Sequence, residues 1–359
     1  AGTATLSSAL SVVVKPVATS LSPSSRGQGA ASQTVVVSGS GFQDGVTASF
    51  SGTGVTVNSV SFTNGTSISL SVSVAAGASL DARDLTLTNP DHGTHTASAL
   101  FTVNAKPVAT SLSPSSRGQG AASQVITVTG TDFVSGMSAS FSGTGVTVNS
   151  VSVTNSTTAT ITITVSATAS TDARDLTLTN TDAGTSTRSS ALTVTPRPVA
   201  TSLSPSSRGQ GAVSQVITVT GTDFVPGMSV SFSGTGVTVN SVLVTDSSHA
   251  TVNVTVSSSA AAGARDLTLT NTDAGTHTTS SAFTVIAEPA ATSLSPSSLG
   301  QGASSRAVVV SGSGFQDGVT AAFSGTGVTV DSVTYTNSTS IILNVSVDAA
   351  ADLGPRSLS

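Results

Sequence analysis

The sequence repeats one unit every 91 residues, and this period constrains the fold more than any other feature. Equivalent prolines stand at Pro16, Pro107, Pro198 and Pro289, and equivalent phenylalanines and arginines keep the same spacing with no insertion. The phrase SLSPSSRGQGAASQ, which starts at Ser20, returns unchanged one period later. A fixed period of this kind indicates an array of successive copies of one structural unit.

Within each unit, short runs of residues alternate between apolar and polar side chains. Ile68, Leu70, Val72 and Val74 alternate with serine, which is the period of a half-buried β-strand. Further runs are separated by Gly, Asn, Asp and Pro, which favour turns. These runs are Val35/Val37, Ala48/Phe50, Val55/Val57, Val60/Phe62, Leu85/Leu87 and Phe101/Val103. Roughly seven short strands per unit, with no helical period, predict an all-β sandwich.

Glycine-rich phrases are predicted to form the turns between these strands. SGTG at residues 51–54 recurs in all four copies, and its glycines suit a tight connection with positive φ. NPDHG at residues 89–93 becomes NTDAG in the next two copies and is typical of a hairpin loop. We interpret residues 23–29 as a turn-rich passage between the first and second strands of the unit.

Three motifs, taken in order, resemble the IPT/TIG domain. PVATSLSPSS at residues 16–25 opens the unit, VVVSGSGF at residues 35–42 follows, and ALFTV at residues 99–103 closes it. The resemblance extends over every unit and implies an immunoglobulin-like sandwich, in a family found in plexins, transcription factors and bacterial surface proteins. The chain has no Trp and no Cys, so its core is expected to rest on Phe42, Phe50 and aliphatic side chains.

The period and the motifs together predict the domain boundaries. Three repeats are expected at residues 15–105, 106–196 and 197–287, and a fourth, lacking its closing strand, at residues 288–359. Residues 1–14 match residues 92–105 and are predicted to be the closing strand of a preceding or neighbouring unit. Two interpretations stay open for these ends: a series that continues covalently, and strand exchange between separate copies.

Composition and charge exclude several classes of function. Only 8% of residues are charged, against roughly 25% in soluble domains, and the net charge of -5 comes with no basic run. We therefore expect no nucleic-acid partner. The absence of Cys rules out disulfides and thiolate metal ligands. No apolar run approaches the ~18 residues of a membrane helix, so we predict no membrane span in this segment.

Candidate catalytic residues do not recur from one unit to the next. His95 and His277 are equivalent, but Ser186 occupies their position in the second unit, and neither His92 nor His249 has a histidine counterpart. The many serines do not predict a nucleophile, because an activated serine needs a positioned base. We therefore predict no catalytic residue, no cofactor and no enzyme activity.

Three aspartates of the first unit, Asp81, Asp84 and Asp91, are the best candidates for calcium ligands. Calcium requires about six or more converging oxygen atoms. The copies disagree, because Gly263 stands at the position of Asp81 and the fourth unit reads LGPRS where the others read ARD. We interpret these aspartates as solvated turn carboxylates and predict no metal site.

One charged residue is retained in all four units. It is Arg83, Arg174, Arg265 and Arg356. One interpretation is a surface ion pair with a local aspartate, a contact that stabilises by about 0.2–1 kcal/mol. The other is a contact between successive units or between neighbouring chains.

Three asparagines begin N-glycosylation triplets at one equivalent position of the unit. They are Asn64, Asn155 and Asn337, each in the turn before the strand of the Ile68 type. They are candidate attachment sites for surface glycans, although such triplets also arise readily in a chain rich in Ser and Thr.

The junctions between units leave little slack. A charged residue and a proline stand at each one: Lys15-Pro16, Lys106-Pro107, Arg197-Pro198 and Glu288-Pro289. Because proline stiffens the chain, we predict tandem immunoglobulin-like sandwiches arranged as a semi-rigid rod.

This architecture favours a non-enzymatic structural protein outside the cell or at its surface, in the form of a stalk or filament. Its expected partners are identical units, through self-association into a fibre or head-to-tail continuation, and surface glycans. The alternatives are a cell-surface adhesin or carbohydrate-binding array, and an accessory region of a secreted carbohydrate-active enzyme.

Overall fold

The computed structural model describes residues 2–7 and 10–359, and β-strands form the framework of every repeat. The first repeat contains β1 (Val17–Ser22), β2 (Ser25–Gly27), β3 (Gln33–Ser40), β4 (Thr47–Phe50), β5 (Val55–Asn64), β6 (Ser67–Val74), β7 (Ala82–Thr88) and β8 (Thr94–Asn104). The second contains β9 (Val108–Ser113), β10 (Ser116–Gly118), β11 (Gln124–Thr131), β12 (Ser138–Phe141), β13 (Val146–Asn155), β14 (Thr158–Val165), β15 (Ala173–Thr179) and β16 (Thr185–Thr195).

The third repeat contains β17 (Val199–Ser204), β18 (Ser207–Gly209), β19 (Gln215–Thr222), β20 (Ser229–Phe232), β21 (Val237–Asp246), β22 (His249–Val256), β23 (Gly263–Thr270) and β24 (Thr276–Ile286). The fourth contains β25 (Ala290–Ser295), β26 (Arg306–Ser313), β27 (Val328–Asn337) and β28 (Ser340–Val347).

Two four-stranded sheets form the sandwich of each of the first three repeats. In the first repeat the strand orders are β1-β3-β6-β5 and β2-β8-β7-β4, and the next two repeats keep both orders. In the first repeat the neighbouring strands are antiparallel except β2 and β8, which pair in parallel through Ser25–Gly27 and residues 102–104. β10 with β16, and β18 with β24, pair in parallel in the same way. This is an immunoglobulin-like arrangement, so the prediction of an all-β tandem of such sandwiches is confirmed.

The fourth repeat shows one four-stranded sheet among the described residues. Its first sheet, β25-β26-β28-β27, keeps the common order. Where the other repeats place the second sheet, the described residues contribute one bridge, between Phe323 and Leu358.

Alternating side chains fill the core between the sheets, as the period-two pattern predicts. Ile68, Leu70, Val72 and Val74 of β6 are all buried, and the intervening serines are half-buried. From the opposite sheet, Phe101 of β8 is fully buried, and its ring lies 4.8 Å from that of Phe50. Separate core clusters lie within residues 18–103, 109–194, 200–285 and 308–345, one in each proposed repeat.

Two predictions of local structure are wrong. Val55/Val57 and Val60/Phe62 belong to a single strand, β5, whose register with β6 shifts between Val57 and Ser59. This bulge breaks the period-two pattern, which made one strand look like two. The passage predicted as turns also contains a short strand, β2, which the parallel partner β8 stabilises.

That residues 1–14 close a preceding or neighbouring unit stays a prediction. Residues 2–7 and 10–14 lie outside every strand, while Ala1, Ser8 and Ala9 are outside the described residues. Leu10, Val12 and Val14 are exposed.

The chain clusters into two compact units. One comprises Ala1–Pro196 with Asp273–Gly275, and the other comprises Arg197–Thr272 with Thr276–Ser359. The search of the described residues for a helix able to span a membrane found none. The repeat boundaries themselves stay a prediction.

Candidate inter-repeat junction

The first two repeats touch through a small set of hydrogen bonds. Residues 25–29 of the first repeat, here called the junction loop, lie against residues 180–184 of the second, the junction turn. Gly27 N donates to the carbonyl of Asp182 (3.2 Å), and Thr185 N donates to the carbonyl of Gln28 (2.9 Å). Asn104 Nδ2, at the end of β8, donates to Asp182 Oδ2 (2.9 Å). The repeats are therefore bonded to each other as well as joined by the chain.

Glycines on both sides allow this close approach. A Cβ atom built on Gly27 would overlap the Cα of Gly184 and would lie 2.7 Å from Asp182 Oδ1. Gly27 lies outside the left-handed region of φ, so packing rather than backbone conformation requires a glycine there. Gly118 contacts Gly275 in the same way within the first compact unit, which includes Asp273–Gly275.

The junction turn is held in shape by its own polar side chains. Asp182 Oδ1 accepts from Gly184 N (2.9 Å), which leaves Oδ2 to accept from Asn104. The buried Asn180 side chain donates from Nδ2 to the carbonyl of Asp132 (2.8 Å). The bond from Gly184 is a local Asx turn, whereas the bond from Asn180 anchors the turn to the end of β11 in the same repeat.

The equivalent turn of the first repeat uses its carboxylate differently. Asp91 Oδ1 accepts from Gly93 N (2.9 Å), but Oδ2 accepts from Gln43 Nε2 of the same repeat (2.7 Å). The hydrogen bonds from Gly93 and then from Gln43 lower the pKa of Asp91. Val134 replaces this glutamine in the second repeat. Asp182 therefore keeps an oxygen for the junction.

Arg26 lies close enough to the junction to feel the charge of Asp182. Partial burial lowers the pKa of the Arg26 guanidinium, and the negative charge of Asp182 opposes that effect. The guanidinium donates from Nη2 to the carbonyl of Thr34 (2.8 Å). The carboxylate of Asp182 thus accepts a hydrogen bond from an amide of the preceding repeat and interacts electrostatically with a cation of that repeat.

Sequence reasoning missed this junction because it assigned the repeated phrase to turns within one repeat. One signal for it was present. The longest phrase repeated without change contains Gly27. Only the structure shows that Gly27 lies outside the left-handed region, so that its retention reflects close packing against another backbone.

The retained arginines close a turn of their own repeat. Arg83 Nη2 donates to the carbonyl and hydroxyl of Ser79 (3.0 and 2.8 Å) and to the carbonyl of Thr53 (3.4 Å). A Cβ atom on Gly52, which has φ of +74°, would overlap the guanidinium. The other three arginines contact the equivalent glycines, Gly143, Gly234 and Gly325.

The interpretation of Arg83 as part of a surface ion pair is wrong. Arg83 is 6% exposed and Arg174 is 5% exposed, and their hydrogen bonds go to carbonyl and hydroxyl oxygens. The bonds of Arg265 and Arg356 also lie within their own repeats. A contact of these arginines with successive units or with neighbouring chains stays a prediction.

The asparagines of the glycosylation triplets are exposed in the β5–β6 turn and its equivalents. Asn64 Oδ1 accepts from both Thr66 N (2.9 Å) and Thr66 Oγ1 (2.8 Å). Asn155 and Asn337 form the same pair of bonds with Thr157 and Thr339. The triplet therefore stabilises a turn, and glycosylation at these positions stays a prediction.

Asp246 replaces the asparagine in the third repeat and is expected to titrate unusually low. Bonds from Ser248 Oγ and N, and then from His249, lower the pKa of Asp246 to about 2. The bonds stabilise the turn fully at pH values above about 3.9, the ordinary pKa of Asp. Their stabilising effect is lost as the pH falls through about 2. Carboxyl NMR titration should give a midpoint near 2, and Ser248→Ala should raise it. A wild-type midpoint at the ordinary value would contradict the assignment.

The residues considered for catalysis or metal binding do not converge. Among the described residues, no group of three or more His, Asp or Glu side chains could hold a metal ion. Asp84 Oδ1 accepts from Ala99 N (2.8 Å) and so supports a bulge of β8, where Ala99 has φ of +53°. Asp91 belongs to the turn described above. These two aspartates therefore have local structural contacts.

Comparison with known proteins identifies one repeat directly. Residues 198–285 match the model of the IPT/TIG domain. A search of curated proteins returned no match.

Several solved structures of tandem domains are distantly similar. The I9–I11 tandem from titin is 14% identical over 73% of this chain and 95% of that one, with a TM-score of 0.27. A mixed-linkage glucan utilization protein, SGBP-B of Bacteroides ovatus, is 14% identical over 78% and 69%, with a TM-score of 0.22. The Escherichia coli adhesin FdeC is 17% identical over 76% and 99%, with a TM-score of 0.21. Similarity this distant says nothing about what the chain binds.

The motifs of residues 198–285 recur in register in the other repeats, and three of the four repeats share both sheet orders. Residues 198–285 are thus an IPT/TIG domain, and the chain is a tandem array of immunoglobulin-like repeats of this pattern.

Proposed function

We propose that the chain is an extracellular, non-enzymatic stalk in which stacked repeats hold a fixed spacing. The observation that carries this proposal is the junction between the first two repeats, where Asp182 bonds directly to the preceding repeat. Flexibly tethered domains need no such bonds. A stalk needs them, because its reach depends on each repeat keeping its orientation.

The short linker supports the same function. β8 ends at Asn104 and β9 begins at Val108, so three residues join the two sandwiches. One of them is Pro107, whose ring fixes φ. A linker of this length restricts rotation, and the junction bonds favour one of the remaining orientations.

Surface chemistry supports an extracellular location for the stalk. The exposed turn asparagines Asn64, Asn155 and Asn337 are placed where a glycan could attach without disturbing the core. The cysteine-free sequence can fold outside the cell without forming disulfides.

Asp182→Asn is expected to loosen the first two repeats, whereas Asp91→Asn is the matched control. In Asp182→Asn a charge-assisted bond of about 1.5–3 kcal/mol to Asn104 is replaced by a neutral amide–amide bond of about 0.5–1.5 kcal/mol. Asp91→Asn also loses a carboxylate bond, but to Gln43 of its own repeat.

The absence of native cysteine allows a direct measurement on the full chain. Spin labels on Ser61→Cys and Ser152→Cys, both at exposed positions, report the distance distribution between the first two repeats. We expect a narrow distribution in the parent chain and in Asp91→Asn, and a broader one in Asp182→Asn. If the distance distribution of the parent chain is as broad as that of Asp182→Asn, the proposal that the chain is a stalk is wrong.

A further inference from the structure

One aspartate stands in the junction turn and in each of its two equivalents. It is Asp91, Asp182 and Asp273 in the first three repeats. Its Oδ1 always accepts from the backbone N of the glycine two residues later (2.9 Å). Its Oδ2 accepts from Gln43 of the same repeat in the first turn, from Asn104 of the preceding repeat in the second, and from Thr195 in the third. The partner of Oδ2 is therefore the variable part of the contact.

The Gln43 position has the same backbone setting in the second repeat, which forms the junction. Gln43 N and Val134 N each donate to the side-chain oxygen of the buried asparagine of their own turn (3.3 Å). A glutamine at position 134 would therefore start from the same place and reach Asp182 Oδ2 as Gln43 reaches its own aspartate. Valine offers no side-chain donor, which leaves Asp182 Oδ2 to Asn104.

The residue two positions before each charged junction residue varies together with the Gln43 position of the repeat that follows. Where it is a side-chain donor, the following repeat has valine, and where it is apolar, the following repeat has glutamine. The donor pairs are Asn104 with Val134 and Thr195 with Val225, and the apolar pairs are Val13 with Gln43 and Ile286 with Gln316.

A second position of the turn divides the repeats in the same way. Ala183 packs against the core of the first repeat, and Ala274 packs against the core of the second. Histidine, a much larger side chain, stands at this position as His92 in the repeat that carries Gln43. The small residue thus accompanies valine in the turns that pack on a preceding repeat.

We propose that the Gln43 position selects the partner of the junction turn. With valine there, the turn carboxylate recognises a preceding repeat whose closing strand ends in an amide or hydroxyl donor. With glutamine there, the repeat satisfies the carboxylate itself and takes a preceding repeat that offers no donor. The backbone bonds of Gly27 and Thr185 need no particular side chain, so the carboxylate bond sets the difference in strength. This inference rests on the proposed stalk and adds that its junctions are of two kinds, one tighter than the other.

Val134→Gln gives the second repeat the residue that the first and fourth repeats have. We expect hydrogen exchange of the Thr185 amide to accelerate by about 10-fold, because the new side-chain amide competes with Asn104 for Asp182 Oδ2. Val134→Leu adds a side chain of similar size without a donor, so this matched control should leave the exchange unchanged. Val134 is 45% exposed, so neither substitution disturbs the core.

Asn104→Ile removes the donor from the other side of the contact, and isoleucine already ends the equivalent strand of the third repeat. It should also accelerate exchange of the Thr185 amide by about 10-fold. Adding Val134→Gln to Asn104→Ile should cause no further change, because the bond that glutamine displaces is already lost. The proposal is overturned if Val134→Gln acts no more strongly than Val134→Leu, or if the effects of Val134→Gln and Asn104→Ile add.

The spin-label distances between the first two repeats keep this result separate from the result on the stalk. A narrow distribution in the parent chain that Val134→Gln broadens no more than Val134→Leu supports the stalk and contradicts partner selection. A parent distribution as broad as that of Val134→Gln contradicts the stalk, while exchange of the Thr185 amide in the four variants still decides partner selection.

Discussion

A methyl group at position 27 is expected to separate the first two repeats, whereas the same methyl group at position 77 is expected to leave the protein unchanged. The Cβ of Gly27→Ala would overlap the Cα of Gly184, a backbone atom that cannot rotate away. Gly77, in the exposed turn after β6, has nothing within 4 Å of its Cβ position. Neither residue has a left-handed φ, so an alanine strains neither backbone.

Gly27→Ala should weaken the contact between the two repeats by about 1–3 kcal/mol of free energy, as at other overpacked sites. The amide of Thr185 donates to Gln28 across the junction, so its hydrogen exchange measures this loss directly. Hydrogen exchange of this amide should accelerate by about 5- to 150-fold in Gly27→Ala and not in Gly77→Ala. Unchanged protection of the Thr185 amide would mean that the junction does not hold the two repeats.

Phe101→Ala is expected to have the largest effect on stability. The side chain is fully buried between the sheets and contacts the ring of Phe50 at 4.8 Å. Truncation of a buried Phe to Ala costs about 3–5 kcal/mol, because the cavity cannot collapse completely. The loss should be confined to the first repeat, since each core cluster lies within one repeat.

The second repeat provides the control for this substitution. Leu192 occupies the position of Phe101 there and is also fully buried. We therefore expect Phe101→Leu to cost at most about 1.5 kcal/mol. Peptide-resolved hydrogen exchange should show faster opening of β6 to β8 in Phe101→Ala, with the second repeat unaffected outside residues 180–185, which bond to the first repeat. Equal destabilisation by Leu and Ala would show that the site needs an aromatic ring.

Much of the fold follows from local sequence because a strand's pattern has a period of two. The alternation in β6 predicts which of its side chains are buried, and all four of those residues are. The prediction failed at β5, where a bulge shifts the pattern by one residue between Val57 and Ser59. It failed again at β2, a three-residue strand that depends on β8. Neither feature leaves a local periodic signal.

The candidate site was less predictable because it depends on contacts between distant parts of the chain. Arginine is usually a surface residue, yet Arg83 is buried against the turn that contains Gly52. Asp182 and Gly27 belong to different repeats, and only docking of two folded repeats brings them together. The sequence predicted that both residues recur, but no local pattern indicated that they touch.

The junction also bears on how an array of this kind changes its length. Each of the first three 91-residue units carries both halves of the contact, a junction loop like that around Gly27 and a turn like that around Gly184. An in-frame duplication therefore creates a new junction already complementary to its neighbours, with no compensating mutation. Loss of a whole unit restores the same contact. Copy number is thus free to drift, whereas an insertion within a unit that displaces the loop relative to the turn would be selected against.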